Sequence, residues 1–258
     1  MMVDPSDGRG TADIRRKANL VVGFGSAIPF AAGALGIGML TRSRRRGLNF
    51  FLSHFPRLLL ATNGIRFTVV GAENLTAQRP AVFLYNHRNG VDPFLAAALL
   101  QDNFVKIAKK ELASDPVLGP LLKFTDGVFL DRDDTAAAVQ ALHEVEERAK
   151  KGLSILIAPE GTAFDTTEVG PFKKGAFRIA MAAGIPIVPI VIRNVEIIAA
   201  RNSFTITPGT VDVAVLPPIP VDDWTHDTLP DHIAEVRQLY LDTLADWPTE
   251  VSSATPAQ

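Results

Sequence analysis

The sequence predicts an α/β fold: a mixed, mainly parallel sheet flanked by helices, with an N-terminal two-helix membrane anchor. Three observations carry this. From residue 66 onward, short apolar or β-branched runs alternate with stretches of helical periodicity, the pattern of strands that hand over to helices. Two of the helical stretches end on glycine, Gly152 and Gly184, as helix C-termini do. Ahead of this region lies a long uncharged segment bounded on both sides by arginines.

The elements follow in order. Residues 1–12 are rich in Gly, Asp and Ser and are expected to be disordered. Residues 13–63 form the membrane-associated helices, 64–248 the α/β domain, and 249–258 a flexible tail. Within the domain, strands are expected at 67–70, 82–85, 104–108, 128–130, 154–158, 187–192 and 211–216. Helices are expected at 91–100, 135–151, 172–183 and 231–246. Pro186 and Pro189 fall in the strand-like run 184–191, which disfavours a regular central strand there.

Arg15, Arg16 and Lys17 precede the uncharged segment 18–41. As helix it would be about 36 Å long, enough for a hydrocarbon core of about 30 Å. Arg42, Arg44, Arg45 and Arg46 follow, and then a shorter amphipathic segment, 49–60. Basic flanks on both sides, with Gly23, Gly25, Pro29, Gly33, Gly36 and Gly38 within, favour two helices dipping into one leaflet at the cytoplasmic face of the cell membrane. One spanning helix, a cleaved signal peptide ending at 32–34 and a buried core helix are the alternatives.

The composition removes several function classes. The chain has 258 residues, 47% of them hydrophobic, and a net charge of -2, so a general nucleic-acid binder is not expected. Cysteine is absent, which excludes a thiol nucleophile and a thiolate metal site. The five histidines show no ligand spacing, and no metal is expected.

Four segments carry candidate chemistry. In the run 86–93, His87 stands where a strand ends and Asp92 about where the next helix begins, the minimum for a general base with an orienting carboxylate. The plainer reading has Asp92 as an N-cap ahead of Pro93 at the first helical position, and His87 as a satisfied strand-end residue. Glu160, Gly161 and Thr162 follow another buried strand; a carboxylate there orders a loop or binds a cationic or hydroxyl group, and a plain turn is the alternative. Pro171 suits a helix start, and Lys173 and Lys174 after it oppose the helix dipole, which suggests an anion that neutralises them. A solvated face is the alternative. Arg132 either joins this positive patch or pairs with Asp131 or Asp133.

Taken together these segments resemble the lysophosphatidic acid acyltransferase family of glycerolipid acyltransferases. The resemblance spans roughly residues 66–193. It rests on His87-x4-Asp92, the run 127–132 ending in Asp131-Arg132, Pro159-Glu160-Gly161-Thr162 with its continuation 171–177, and the run 185–190, in the family's order. It implies an acyltransferase domain that transfers a fatty acyl group from acyl-CoA or acyl carrier protein to a lysophospholipid hydroxyl at a membrane lipid surface, with no cofactor beyond the acyl donor. His87 would be the base and Asp92 its orienting partner. Arg132, Glu160, Gly161 and Thr162 would form the acceptor-phosphate site, supported by Lys173 and Lys174. Two departures stand out: Ala163 where the family usually has arginine, and Asn89 where serine is common. Both are expected to touch acceptor recognition. A thioester hydrolase and a non-catalytic membrane scaffold are the rival readings; no Gly-x-Ser-x-Gly elbow supports the first.

Overall fold

The computed structural model describes residues 18, 21–131, 135–161, 168–200 and 206–249. Seven strands form one sheet in the order β1-β7-β6-β2-β5-β3-β4: β1 (Ile65–Val70), β2 (Val82–Tyr85), β3 (Phe104–Lys109), β4 (Val128–Leu130), β5 (Ser154–Ile157), β6 (Ile187–Arg193) and β7 (Gly209–Val215). β2 pairs in parallel with β5 on one side and β6 on the other, and β3 pairs in parallel with β5 and β4. Every residue of β2 and β5 is buried, as expected of strands covered on both faces, and their sequences are accordingly near-continuous apolar runs.

The helices are α1 (Ala27–Leu40), α2 (Arg44–Thr62), the single turn α3 (Asn74–Ala77), α4 (Asp92–Leu100), α5 (Leu118–Phe124), α6 (Thr135–Lys150), α7 (Lys174–Ala183) and α8 (Leu229–Ala245). Two compact units emerge, neither continuous in sequence. The first comprises Met1–Thr68, Arg88–Asp102 and Arg193–Asp212; the second comprises Val69–His87, Asn103–Ile192 and Val213–Gln258.

In the first unit α2 lies on α1 and α4. Its Leu48, Phe51, Leu52, Phe55, Leu59 and Leu60 are buried, at the helical spacing of one apolar face. Phe94 of α4 meets Phe24 and Phe55 edge-on, with ring centroids 5.7 and 6.5 Å apart. α1 is different. It belongs to a 20-residue helical run, Val21–Leu40, long and apolar enough to cross a membrane, and Ile28, Leu35, Met39 and Leu40 on it are exposed. The apolar face of the second expected anchor helix is thus spent on the protein's own packing, Leu58 apart, and the larger exposed apolar surface belongs to the first.

In the second unit the core gathers β2, β5 and β6 with Ala176, Phe177, Ile179 and Ala180 of α7, and with Ile233, Val236 and Tyr240 of α8. Ile233, Val236 and Tyr240 fall three and four residues apart, so one stripe of α8 faces the core.

Three local expectations are corrected. β6 is a regular strand despite Pro189, because its register on β2 (Val82 with Ile187, Leu84 with Pro189) turns Pro189 away from the β2 ladder, and its carbonyl accepts Leu216 N–H at 2.9 Å. Helix α7 begins at Lys174, leaving Pro171 outside it, because Lys173 is extended and its N–H is held by the Pro159 carbonyl at 2.8 Å. α5 was not expected, since Gly119 and Pro120 lie within it; Pro120 is tolerated in the first turn, where the Asp115 carboxylate accepts the N–H groups of Val117 and Leu118 at 2.9 and 2.7 Å.

Candidate active site

The second unit places His87 immediately after β2, half-buried, with its ring 5.8 Å from that of Tyr85. The strand end is fastened from both sides. Asn86, fully buried, donates its Nδ2 to the Ile192 carbonyl at 2.8 Å and accepts Ile192 N–H at 2.7 Å, so the ends of β2 and β6 are locked together. The other fastening is Glu160, 1% exposed. Its Oε1 accepts the backbone N–H of His87 at 2.8 Å and its Oε2 that of Gly170 at 2.7 Å. A buried carboxylate is tolerable only with such donors. Of the sequence readings for Glu160, the structure supports the loop-ordering one.

Gly161 follows in the left-handed region, φ 79°, and its N–H closes a turn onto the Ala158 carbonyl. Lys173 and Lys174 are exposed at the start of α7. The Lys173–Pro159 backbone bond and the Gly170–Glu160 bond hold Gly170 and Lys173 beside Pro159 and Glu160. Thr162, Ala163 and Arg132 lie outside the described residues. Asp131 is paired with Lys110 Nζ at 2.6 Å. Lys110 escaped the sequence reading; only the β3–β4 register, with Lys109 opposite Leu130, brings it beside Asp131.

The first unit holds Arg88 to Asp92. Asp92 is fully buried and is the first residue of α4, with Val91 at the N-cap, so Asp92 does not cap its own helix. Its Oδ2 instead accepts the N–H groups of Arg88 at 2.5 Å and Asn89 at 2.8 Å, which closes the turn that ends the motif. Asn89 is 2% exposed. Its Nδ2 donates to the carbonyls of Val195 and Ala199 at 3.0 and 2.7 Å, and its Oδ1 accepts Val91 N–H at 2.9 Å. The side chain therefore ties the 195–199 backbone to the motif turn, a role its sequence position did not reveal.

Two residues of α8 also reach this region of the second unit. Tyr240, fully buried, donates its hydroxyl to the Leu84 carbonyl at 2.7 Å. Burial holds its phenol well above the ordinary tyrosine value; a backbone bond from Ile190 opposes this and the nearby Glu160 carboxylate adds to it. Arg237 donates to the Val169 and Gly170 carbonyls at 2.6 and 3.0 Å. Among the described residues no group of three or more His, Cys, Asp or Glu side chains is placed to hold a metal ion.

A family model described as Acyltransferase matches residues 66–193. The 1-acyl-sn-glycerol-3-phosphate acyltransferase of Limnanthes alba is 32% identical over 188 residues, 72% of this chain and 66% of its own. The protein of the same description from Cocos nucifera is 34% identical, over 74% of this chain and 61% of its own. That from Salmonella typhimurium is 34% identical, over 67% of this chain and 70% of its own. The chain thus spans slightly under two thirds of the two plant relatives. The fold is shared with the crystal structure of the 1-acyl-sn-glycerophosphate (LPA) acyltransferase, PlsC, from Thermotoga maritima, with a TM-score of 0.74 at 24% identity, covering 93% of this chain and 100% of that one.

Proposed function

Because the chain belongs to the acyltransferase family, we propose that it moves a fatty acyl group from an acyl thioester, acyl-CoA or acyl-ACP, to the hydroxyl of a lysophosphatidic acid-like or other lysophospholipid acceptor. The observation that carries this is the placement of His87: a histidine at the exit of a central strand, half-exposed, with its backbone clamped by a buried carboxylate. A base has to be within hydrogen-bond reach of its substrate and held there, and this segment is built to hold it.

In the proposed reaction His87 takes the proton of the acceptor hydroxyl as the oxygen attacks the thioester carbonyl carbon. The tetrahedral intermediate collapses, the C–S bond breaks, and the leaving thiolate takes the proton back from the imidazolium. No acyl-enzyme intermediate is needed. Asp92 is the orienting carboxylate of His87 in this scheme. Arg132 and Thr162 with the Gly161 turn bind the acceptor phosphate, Lys173 and Lys174 add positive potential, and Glu160 joins the His87 and Gly170 backbones beside that turn. The exposed apolar side of Val21–Leu40, followed by Arg42 and Arg44 to Arg46, anchors the protein at the cytoplasmic face of an anionic bilayer, which holds the lysophospholipid acceptor.

The test is an assay of the full chain in lipid vesicles, with acyl-CoAs of graded length, acyl-ACP and a panel of lysolipid acceptors. Phospholipid product is expected, and His87→Ala should lower turnover by about 10²–10⁴-fold while the protein stays folded. Free fatty acid in place of acylated lipid, or near-parental turnover in the variant, would overturn the proposal.

A further inference from the structure

We propose that Arg237 and Tyr240, one turn apart on α8, are positioning residues for the His87 loop; the inference rests on the acyl-transfer reading above. The two side chains approach that loop by separate routes inside the second unit. Tyr240 reaches the strand before it: its hydroxyl bonds the Leu84 carbonyl, three residues ahead of His87, at 2.7 Å. Its ring is wedged edge-on against Phe172, with centroids 5.2 Å apart. Arg237 reaches the loop through two intermediaries. It holds the Val169 and Gly170 carbonyls, Gly170 N–H holds Glu160 Oε2 at 2.7 Å, and Glu160 Oε1 holds His87 N–H at 2.8 Å.

The two routes differ in what they fix. Tyr240 acts on the exit of β2 and hence on where the imidazole stands. Arg237 acts on the Val169–Gly170 backbone that holds Glu160, the residue before the Gly161 turn, and so bears on the proposed acceptor site as well. The Tyr240 ring packs in the core stripe of α8 with Ile233 and Val236, so its hydroxyl is the part free to act on the β2 exit, and the Arg237 guanidinium lies outside that stripe. A hydroxyl and a guanidinium on one helix, the first bonded to the strand that leads into the candidate base and the second to the backbone that anchors Glu160, are the arrangement by which a rigid element fixes a catalytic loop.

The experiment compares Tyr240→Phe, Arg237→Met and Arg237→Lys with the parent and with His87→Ala, all as full chains in lipid vesicles. Steady-state constants, the pH profile of kcat/KM and thermal unfolding are read for each. Tyr240→Phe keeps the ring and should lower kcat about 10-fold, displace the acid limb of the pH profile and leave acceptor KM within about twofold, because small misplacements of a reacting group are costly. Arg237→Met should lower kcat and also raise acceptor KM. Arg237→Lys should recover part of both losses, since an ammonium still donates to one carbonyl. Parental kcat, KM and pH profile in Tyr240→Phe and Arg237→Lys, beside an inactive His87→Ala, would overturn this inference alone, even if the melting temperature falls. Near-parental turnover in His87→Ala would instead sink the base reading on which it rests. Should Arg237→Met fail to fold, the other two variants decide.

Discussion

Glu160 Oε1 accepts the backbone N–H of His87 at 2.8 Å while Oε2 accepts that of Gly170 at 2.7 Å, so a single buried carboxylate joins two loops. A glutamine in its place has one acceptor oxygen and would turn an NH₂ group toward the second N–H, replacing a charge-assisted bond by a donor–donor clash. Glu160→Gln should therefore lose about 1–3 kcal/mol of stability, read by denaturant unfolding, and lose turnover with it. Parental stability in the variant would show that the second bond contributes nothing.

The departure at position 163 concerns the acceptor. With Ala163 in place of the arginine usual in the family the sequence resembles, the proposed phosphate site has one cation fewer. Ala163→Arg should shift the acceptor ranking toward lysophosphatidic acid, whose phosphate is unshielded by a larger head group. The check is the ratio of kcat/KM between lysophosphatidic acid and a lysophospholipid with a larger head group. An unchanged ratio would detach acceptor choice from this position.

What the sequence discloses and conceals follows from chain distance. β2, β4 and β5 are legible because short apolar runs between turn signals have few other uses, and α6 and α7 because Gly152 and Gly184, both at positive φ, mark their ends. α5 is hidden because a helix of seven residues that includes Gly119 and Pro120 has no periodicity to read. The chemistry-bearing types are visible, but their partners are not. Glu160 meets His87 across 73 residues of chain, Asn89 meets Ala199 across 110, and Tyr240 meets Leu84 across 156. Such pairings are set by strand order, which local pattern does not encode.

Asn89 illustrates the difference. From sequence it marked a change in acceptor recognition; in the fold its amide is consumed by the Val195 and Ala199 carbonyls and by Val91 N–H. Asn89→Ala leaves these buried groups unsatisfied and should destabilise the protein by about 1–3 kcal/mol, with the ranking of acceptors among the remaining activity unchanged. Unfolding curves and the acceptor panel together check this; a re-ordered panel at parental stability would restore the recognition reading.

The buried Tyr240 phenol predicts an alkaline limit to stability. Its folded value lies well above the ordinary 10.0, chiefly through burial. Above about pH 10 the unfolded chain gives up the proton that the folded one keeps, so unfolding releases a proton and stability falls as pH rises; below that pH the contribution is fully present. Tyr240→Phe should flatten this loss between about pH 9 and 11, while costing about 1 kcal/mol at neutral pH for the missing bond to Leu84. Urea unfolding across that range is the measurement, and parallel alkaline slopes in the two proteins would contradict it.

The packing of α1 on α2 offers a test of sign. Alanine ordinarily stabilises a helix over glycine by about 1 kcal/mol. In α1, a Cβ at Gly36 would meet nothing within 4 Å, so Gly36→Ala should follow that rule. In α2, a Cβ at Gly47 would lie 2.1 Å from the Ala34 carbonyl oxygen and 3.3 Å from Gly38 N, both main-chain atoms that cannot swing aside. There the helices must separate, and overpacking of this kind costs about 1–3 kcal/mol, enough to outweigh the gain in propensity. A Cβ at Gly33 is intermediate: it would lie 2.9 Å from Phe50 Cε1, the edge of a ring that can tilt away. Thermal unfolding in detergent should therefore rank Gly36→Ala above Gly33→Ala above Gly47→Ala, with the last below the parent. A Gly47→Ala variant as stable as Gly36→Ala would mean that α1 and α2 do not approach as closely in the detergent-bound protein.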